Sequence, residues 1–251
     1  GLGDVYKRQI YNCPDANTQQ GTHESVFCAR PTEHPYQVSS WSEMKDYYDP
    51  NNVIRAAAMM VSVADEFKGN NNFEYDLVDI VRQAIAEKGR LTVVEAAFAA
   101  GDKKLYKDAS DRFLRLILLQ DELLATRPEF KVGTWIARAR SLGSTPEEKE
   151  LYEWNARVQI TTWGNRLAAD EGGLRDYAHR EWNGILKDFY YMRWKTWFDY
   201  QTRLLDGRKT AAIDFYAIEE RWTKATNVYS SEPEGDCIST VKRIFVEIFG
   251  K

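Results

Sequence analysis

The chain has 251 residues, enough to bury a substantial core in one large domain or two small ones. A formal charge of -4 and a sequence pI near 5.6 provide no basic face for phosphate backbones, which argues against a nucleic-acid partner. No apolar run approaches the roughly 20 residues needed to cross a bilayer, so a membrane is not expected as a partner either.

Gly1 to Gln9 (GLGDVYKRQ) lacks the apolar stretch of a secretion signal and is unlike the remainder of the chain. It is set apart as a non-native leader, and with no Met at position 1 the chain is expected to be truncated upstream. From Ile10 to Tyr48, Pro14, Gly21, Pro31 and Pro35 interrupt any period. Val26, Phe27, Tyr36, Val38, Trp41 and Tyr47 are too apolar for a disordered tail, so this is expected to be an ordered, irregular loop segment.

Asp49-Pro50 reads as a helix N-cap followed by proline in the first turn, opening a helix that continues through Val53 to Phe67. Gly69 and Asn70 to Asn72 stop it. A second helix is predicted over Phe73 to Ala100, loosened at Gly89, with Leu77, Ile80, Val81, Ala84 and Ile85 as its buried stripe. After Gly101-Asp102 a third runs from Lys103 to Ala125, and a shorter one from Val132 to Leu142. Thr145 and Glu148 form a capping box for the next helix, which extends to about Trp163. Its successor is predicted from about Gly173 to Leu205, followed by Ala211 to Ala225 and Cys237 to Phe249. The fold class is all-α, a multi-helix bundle domain.

The stretch from Trp154 to Trp194 concentrates Trp154, Trp163, Tyr177, Trp182, Tyr190, Tyr191 and Trp194 around a Gly-bearing loop. Such rings either fill a core or form a wall on which a flat ligand stacks. Core packing is expected for most of them, with Trp163 and Tyr177 as the exceptions. G-x-x-x-x-G-K, G-x-S-x-G and H-E-x-x-H are absent, which sets aside the nucleotide, serine-hydrolase and zinc-protease classes. Cys13, Cys28 and Cys237 lack C-x-x-C spacing and His23, His34 and His179 are scattered, so no metal site is expected. Among the carboxylates Glu147, Glu148, Glu150, Glu153, Asp170, Glu171, Asp176 and Glu181, helix-end and structural roles outweigh an acid/base pair. Arg157 and Arg193 are expected to be structural, and Glu219-Glu220-Arg221 to form a solvated face.

Several blocks in order resemble the C-terminal helical domain of glycoside hydrolase family 89, the α-N-acetylglucosaminidases. They are Tyr11-Asn12-Cys13, Ala29-Arg30-Pro31, Tyr75 to Ile80 with Arg82-Gln83-Ala84, Asn155-Ala156-Arg157, Trp163-Gly164, Asp176-Tyr177-Ala178, and Tyr190-Tyr191 with Arg193-Trp194. The likeness covers nearly everything after Gln9, making residues 10–251 that domain. It implies a parent enzyme with a small N-terminal domain and a (β/α)8 barrel, the helical domain packing beside the barrel mouth. Such an enzyme removes terminal α-linked N-acetylglucosamine from glycans with retention and needs no cofactor. Retention requires two carboxyl groups about 5 Å apart, and the family's pair are barrel glutamates outside this chain. No catalytic residue is therefore assigned here.

The family's helical domain contributes a wall of the substrate pocket, and the matching positions are Trp163, Tyr177, Leu174 and His23. The tryptophan and tyrosine would press on the sugar and its N-acetyl group. The resemblance also implies export, to the periplasm or beyond in bacteria and to the lysosome in eukaryotic relatives. Asn165 to Gly173 is longer than the family's usual connection, and the family's histidine aligns between Thr22 and His23. A rival from another class is a free-standing helical module that binds a protein partner through its aromatic loop.

Overall fold

The computed structural model describes residues 25–32, 49–89, 92–171 and 173–250. The leader at 1–9, Cys13, His23, Trp41 and most of the irregular segment before Asp49 lie outside these residues. Among the described residues the fold is all-α, with one isolated parallel bridge between Lys131 and Asn183.

Helix α1 (Pro50–Ser62) starts where the Asp49 side chain accepts from the Asn51 N–H, and a 3-10 turn, Ala64–Phe67, follows it. Asn70 caps α2 (Asn71–Lys88), α3 spans Thr92–Ala99, and Asp102 caps α4 (Lys103–Leu124). Helices α5 (Val132–Arg140) and α6 (Pro146–Gln159) pack as a hairpin, and Thr145 and Glu148 close the capping box at its second member. After an irregular stretch, a π turn (Leu186–Tyr190) leads directly into α7 (Tyr191–Leu205). Then come α8 (Phe215–Thr223) and α9 (Cys237–Phe249).

The 22-residue α4 packs against α2, α3, α7 and α9. Its Phe113 ring lies 5.4 Å from Phe27, 4.8 Å from Trp194 and 5.6 Å from Phe198, centroid to centroid. Burying each such ring contributes about 1.5–3 kcal/mol. The Trp194 indole N–H donates to the Phe27 carbonyl at 3.0 Å, so the short stretch around Phe27 is set among the helices.

Several boundaries differ from the sequence expectation. The helix expected from Phe73 to Ala100 is two helices, α2 ending at Lys88 with Gly89 as its C-cap, where an added Cβ would lie 2.5 Å from the Phe27 ring. The ring occupies the space a continuing side chain would need. Helix α6 ends at Gln159 rather than Trp163, because the N–H groups of Thr161 and Trp163 both turn back to the Val158 carbonyl. The helix expected from Gly173 begins only at the π turn, since Asp176 and His179 take left-handed φ values of 58° and 47°. The start of α8 moves to Phe215, where the Asp214 carboxylate accepts from the Ala217 N–H. Trp154, expected in the core, is 45 % exposed.

Candidate functional site

The site is the loop between α6 and the π turn that precedes α7. Trp163 has φ of 60°, a left-handed backbone that is costly for a bulky side chain. Trp163, Asp176 and His179 are the non-glycine residues with positive φ among the described residues, and all three belong to this loop. Two hydrogen bonds close it: Leu174 N–H to the Ala168 carbonyl at 3.2 Å, and Asp176 N–H to the Thr161 carbonyl at 2.8 Å. The second fastens the turn before Trp163 to the residue before Tyr177. As a result the Trp163 and Tyr177 rings meet at 5.5 Å with a 49° tilt.

Both rings face outward, Trp163 41 % and Tyr177 50 % exposed, whereas Trp194 and Tyr190 from the same aromatic stretch are fully buried. Leu167, in the π turn Leu167–Glu171, is 61 % exposed beside them in sequence, and Leu174 is half-buried. The structure thus brings Trp163 and Tyr177 together and fixes Leu174 to the same loop. His23 lies outside the described residues.

Beneath the loop is a buried ion network. The Arg193 guanidinium donates to Asp176 at 2.8 and 3.1 Å, to Glu219 at 2.9 Å and to the Cys28 carbonyl at 2.6 Å. It also lies 4.7 Å from the Phe189 ring and 5.0 Å from the Tyr190 ring. Glu219 accepts from Arg30 at 2.9 Å, and Arg30 donates in turn to Asp170 at 2.7 Å. Asp176 and Arg193 are completely buried and Glu219 is 1 % exposed. Burial pushes the Asp176 carboxyl up, and Arg193 opposes that shift. Burial alone would push Arg193 down, but Asp176 and Glu219 hold it above its ordinary value.

Sequence reasoning missed Glu219, which was expected on a solvated face. The α8 positions that are buried, Tyr216, Glu219, Trp222 and Thr223, recur at helical spacing, and that period was the available signal. The acidic-basic run Glu219-Glu220-Arg221 hid it. Arg157, fully buried, pairs with Glu153 at 2.7 Å and lies over the Trp222 ring at 4.9 Å, a structural placement.

Four of the carboxylates considered for acid/base work are engaged elsewhere: Glu148 in the capping box, Glu153 with Arg140 and Arg157, Asp170 with Arg30, Asp176 with Arg193. Burial pushes Glu181 up, Arg82 opposing, and its Oε1 is shut off from solvent. The side chain of Glu171 is outside the described residues. Among the described residues no cluster of His, Cys, Asp and Glu is placed to hold a metal ion, and no helix is long and apolar enough to cross a membrane. Cys28 and Cys237 are free, buried thiols.

What the arrangement offers chemically is an exposed pair of aromatic faces on a rigidly anchored loop, suited to stacking against a ligand. The human alpha-N-acetylglucosaminidase is 28 % identical over 254 residues, covering 96 % of this chain and 32 % of the human protein. A family 89 glycoside hydrolase from Clostridium perfringens, in complex with 2-acetamido-1,2-dideoxynojirmycin, superposes with a TM-score of 0.92 at 34 % identity, covering 99 % of this chain and 29 % of that one. A Clostridium perfringens structure in complex with the substrate GlcNAc-alpha-1,4-galactose gives 0.91 at 34 % identity, covering 98 % and 29 %. The chain thus spans about a third of the length of these relatives. The family defined as the alpha-N-acetylglucosaminidase (NAGLU) C-terminal domain matches residues 4–247, and the chain belongs to it.

Proposed function

We propose that this chain is the C-terminal helical part of a retaining, exo-acting α-N-acetylglucosaminidase, and that Trp163 and Tyr177 form one wall of its sugar pocket. The observation that carries the proposal is the outward-facing ring pair, with left-handed φ at Trp163 itself and at Asp176 just before Tyr177. Backbone strain of this kind persists only where the surrounding structure over-determines it, and it clusters at active sites and ligand clamps. Leu174 and His23 complete the wall, and terminal α-linked N-acetylglucosamine is the substrate group it receives. The carboxylate pair for retention, about 5 Å apart, comes from a (β/α)8 barrel against which this domain packs. The enzyme is exported and works on glycans outside the cytoplasm.

The test is Trp163→Ala in the full-length enzyme, with kinetics on an aryl α-N-acetylglucosaminide and thermal unfolding measured on the same samples. A wall residue lowers kcat/KM by at least tenfold with little change in Tm. A core tryptophan instead costs roughly 3–5 kcal/mol of stability. A variant that melts far lower yet turns over normally while folded would move Trp163 from the pocket to the core.

A further inference from the structure

We infer that Asp176, Arg193 and Glu219 are positioning residues for the sugar site: their buried ion pairs hold the Trp163–Tyr177 wall in the shape that receives substrate. The inference rests on the proposed wall and adds to it the part of the molecule that sets the wall's geometry.

Asp176 is the residue before Tyr177 and has left-handed φ of 58°, so its backbone decides where the tyrosine ring points. Both of its polar ends are tied down. Its N–H donates to the Thr161 carbonyl at 2.8 Å, two residues before Trp163, and its carboxylate takes two hydrogen bonds from Arg193, at 2.8 and 3.1 Å. Arg193 is in turn fixed by Glu219 at 2.9 Å and by the Cys28 carbonyl at 2.6 Å. Glu219 continues the chain of charges to Arg30 at 2.9 Å, and Arg30 reaches Asp170 at 2.7 Å. Asp170 belongs to the π turn Leu167–Glu171, in the middle of the same loop. One network therefore grips the loop at its middle and at its Tyr177 end.

Stability alone is a poor reason for such a network. Buried ion pairs recover little more than their desolvation cost, and apolar residues of similar volume commonly do as well or better. What a buried pair specifies is geometry, because a displaced carboxylate leaves an unpaired charge in the interior. Here that specification coincides with the exposed aromatic pair. Arg193 serves by holding Asp176 and Asp176 by holding Tyr177, with no contact to substrate required of either.

The experiment uses the full-length enzyme and the variants Asp176→Asn, Trp163→Ala and their combination, with Asp121→Asn as the control. Asparagine tolerates left-handed φ better than most residues, so Asp176→Asn removes charge while leaving the backbone allowed. A displaced wall loses binding that ground and transition states share, so KM should rise about tenfold with kcat within about twofold of wild type. Asp121 is a buried carboxylate bonded to residues 183, 184 and 187 instead. Its variant should alter Tm and leave KM unchanged. In the Trp163→Ala background, adding Asp176→Asn should change KM no further, because the two act through one wall.

Full additivity of the two substitutions, or an unchanged KM in a folded Asp176→Asn enzyme, would overturn the inference. If Trp163→Ala itself leaves KM and kcat unchanged, the wall assignment fails first. Should Asp176→Asn not fold, Glu219→Gln, one link further from the loop, makes the same comparison.

Discussion

Asp121 lies in α4 with 7 % exposure and accepts from the Gly184 N–H at 2.6 Å, the Lys187 N–H at 3.2 Å and the Asn183 side-chain amide at 2.8 Å. It acts as a long-range cap on the start of the π turn that leads into α7. Burial and the three donors oppose one another: desolvation raises the carboxyl, the hydrogen bonds lower it, and the balance leaves it at about 6 against an ordinary 3.8. A folded-state value above the unfolded one means the native state binds the proton more readily between these limits. This group's contribution to stability therefore falls as pH rises from 3.8 to about 6 and is constant beyond. The ionised carboxylate costs roughly 3 kcal/mol relative to the protonated one across that window. The assay is urea unfolding of the chain and of Asp121→Asn at several pH values between 4 and 7, taking the difference at each pH so that the other groups cancel. Wild type should lose stability relative to the variant as pH rises, by that amount in total. A flat difference, or one of opposite sign, would show that the donors match or outweigh burial and refute the argument.

The 251-residue chain alone should not hydrolyse an aryl α-N-acetylglucosaminide, since Glu148, Glu153 and Asp176 are held in a cap or ion pairs and the retaining carboxylate pair is proposed to lie in the barrel. Turnover that disappears on substituting a carboxylate of this chain would contradict that. Gly89→Ala should lower stability by about 1–3 kcal/mol, because the new methyl meets the Phe27 ring at 2.5 Å. Thermal unfolding checks it, and an unchanged Tm would mean that the ring moves aside freely.

The helices that pack by a plain apolar stripe were legible in the sequence. In α2 the stripe Leu77, Ile80, Val81, Ala84 and Ile85 is buried as its spacing requires, and the Thr145-Glu148 capping box is formed. Failures occurred where a distant contact overrode a local pattern. Nothing near Gly89 announces that a phenylalanine from residue 27 will fill the adjacent space. Nothing in the local sequence announces that the turn ending at Trp163 will be fastened by the Asp176 N–H, fifteen residues on from Thr161. Trp163 and Tyr177 were singled out from the other rings, but the loop that pairs them was drawn partly as helix. Glu219 was misjudged because a charged side chain suggests solvent unless its partners, Arg30 and Arg193, are known to be nearby.

The placement of Phe27 and Cys28 has a consequence for the order in which the molecule is made. Their carbonyls are satisfied by the side chains of Trp194 and Arg193, 167 and 165 residues further along the chain. During synthesis from the N-terminus these partners are missing until α7 has been added, at about 5–20 residues per second. The earliest described segment is thus among the last to reach its final contacts. Contacts closed over so long a span slow the folding of a helical protein relative to one built from neighbouring pairs. The aromatic centre of the bundle, where Phe27, Phe113 and Trp194 meet, is completed only when both halves of the chain are present.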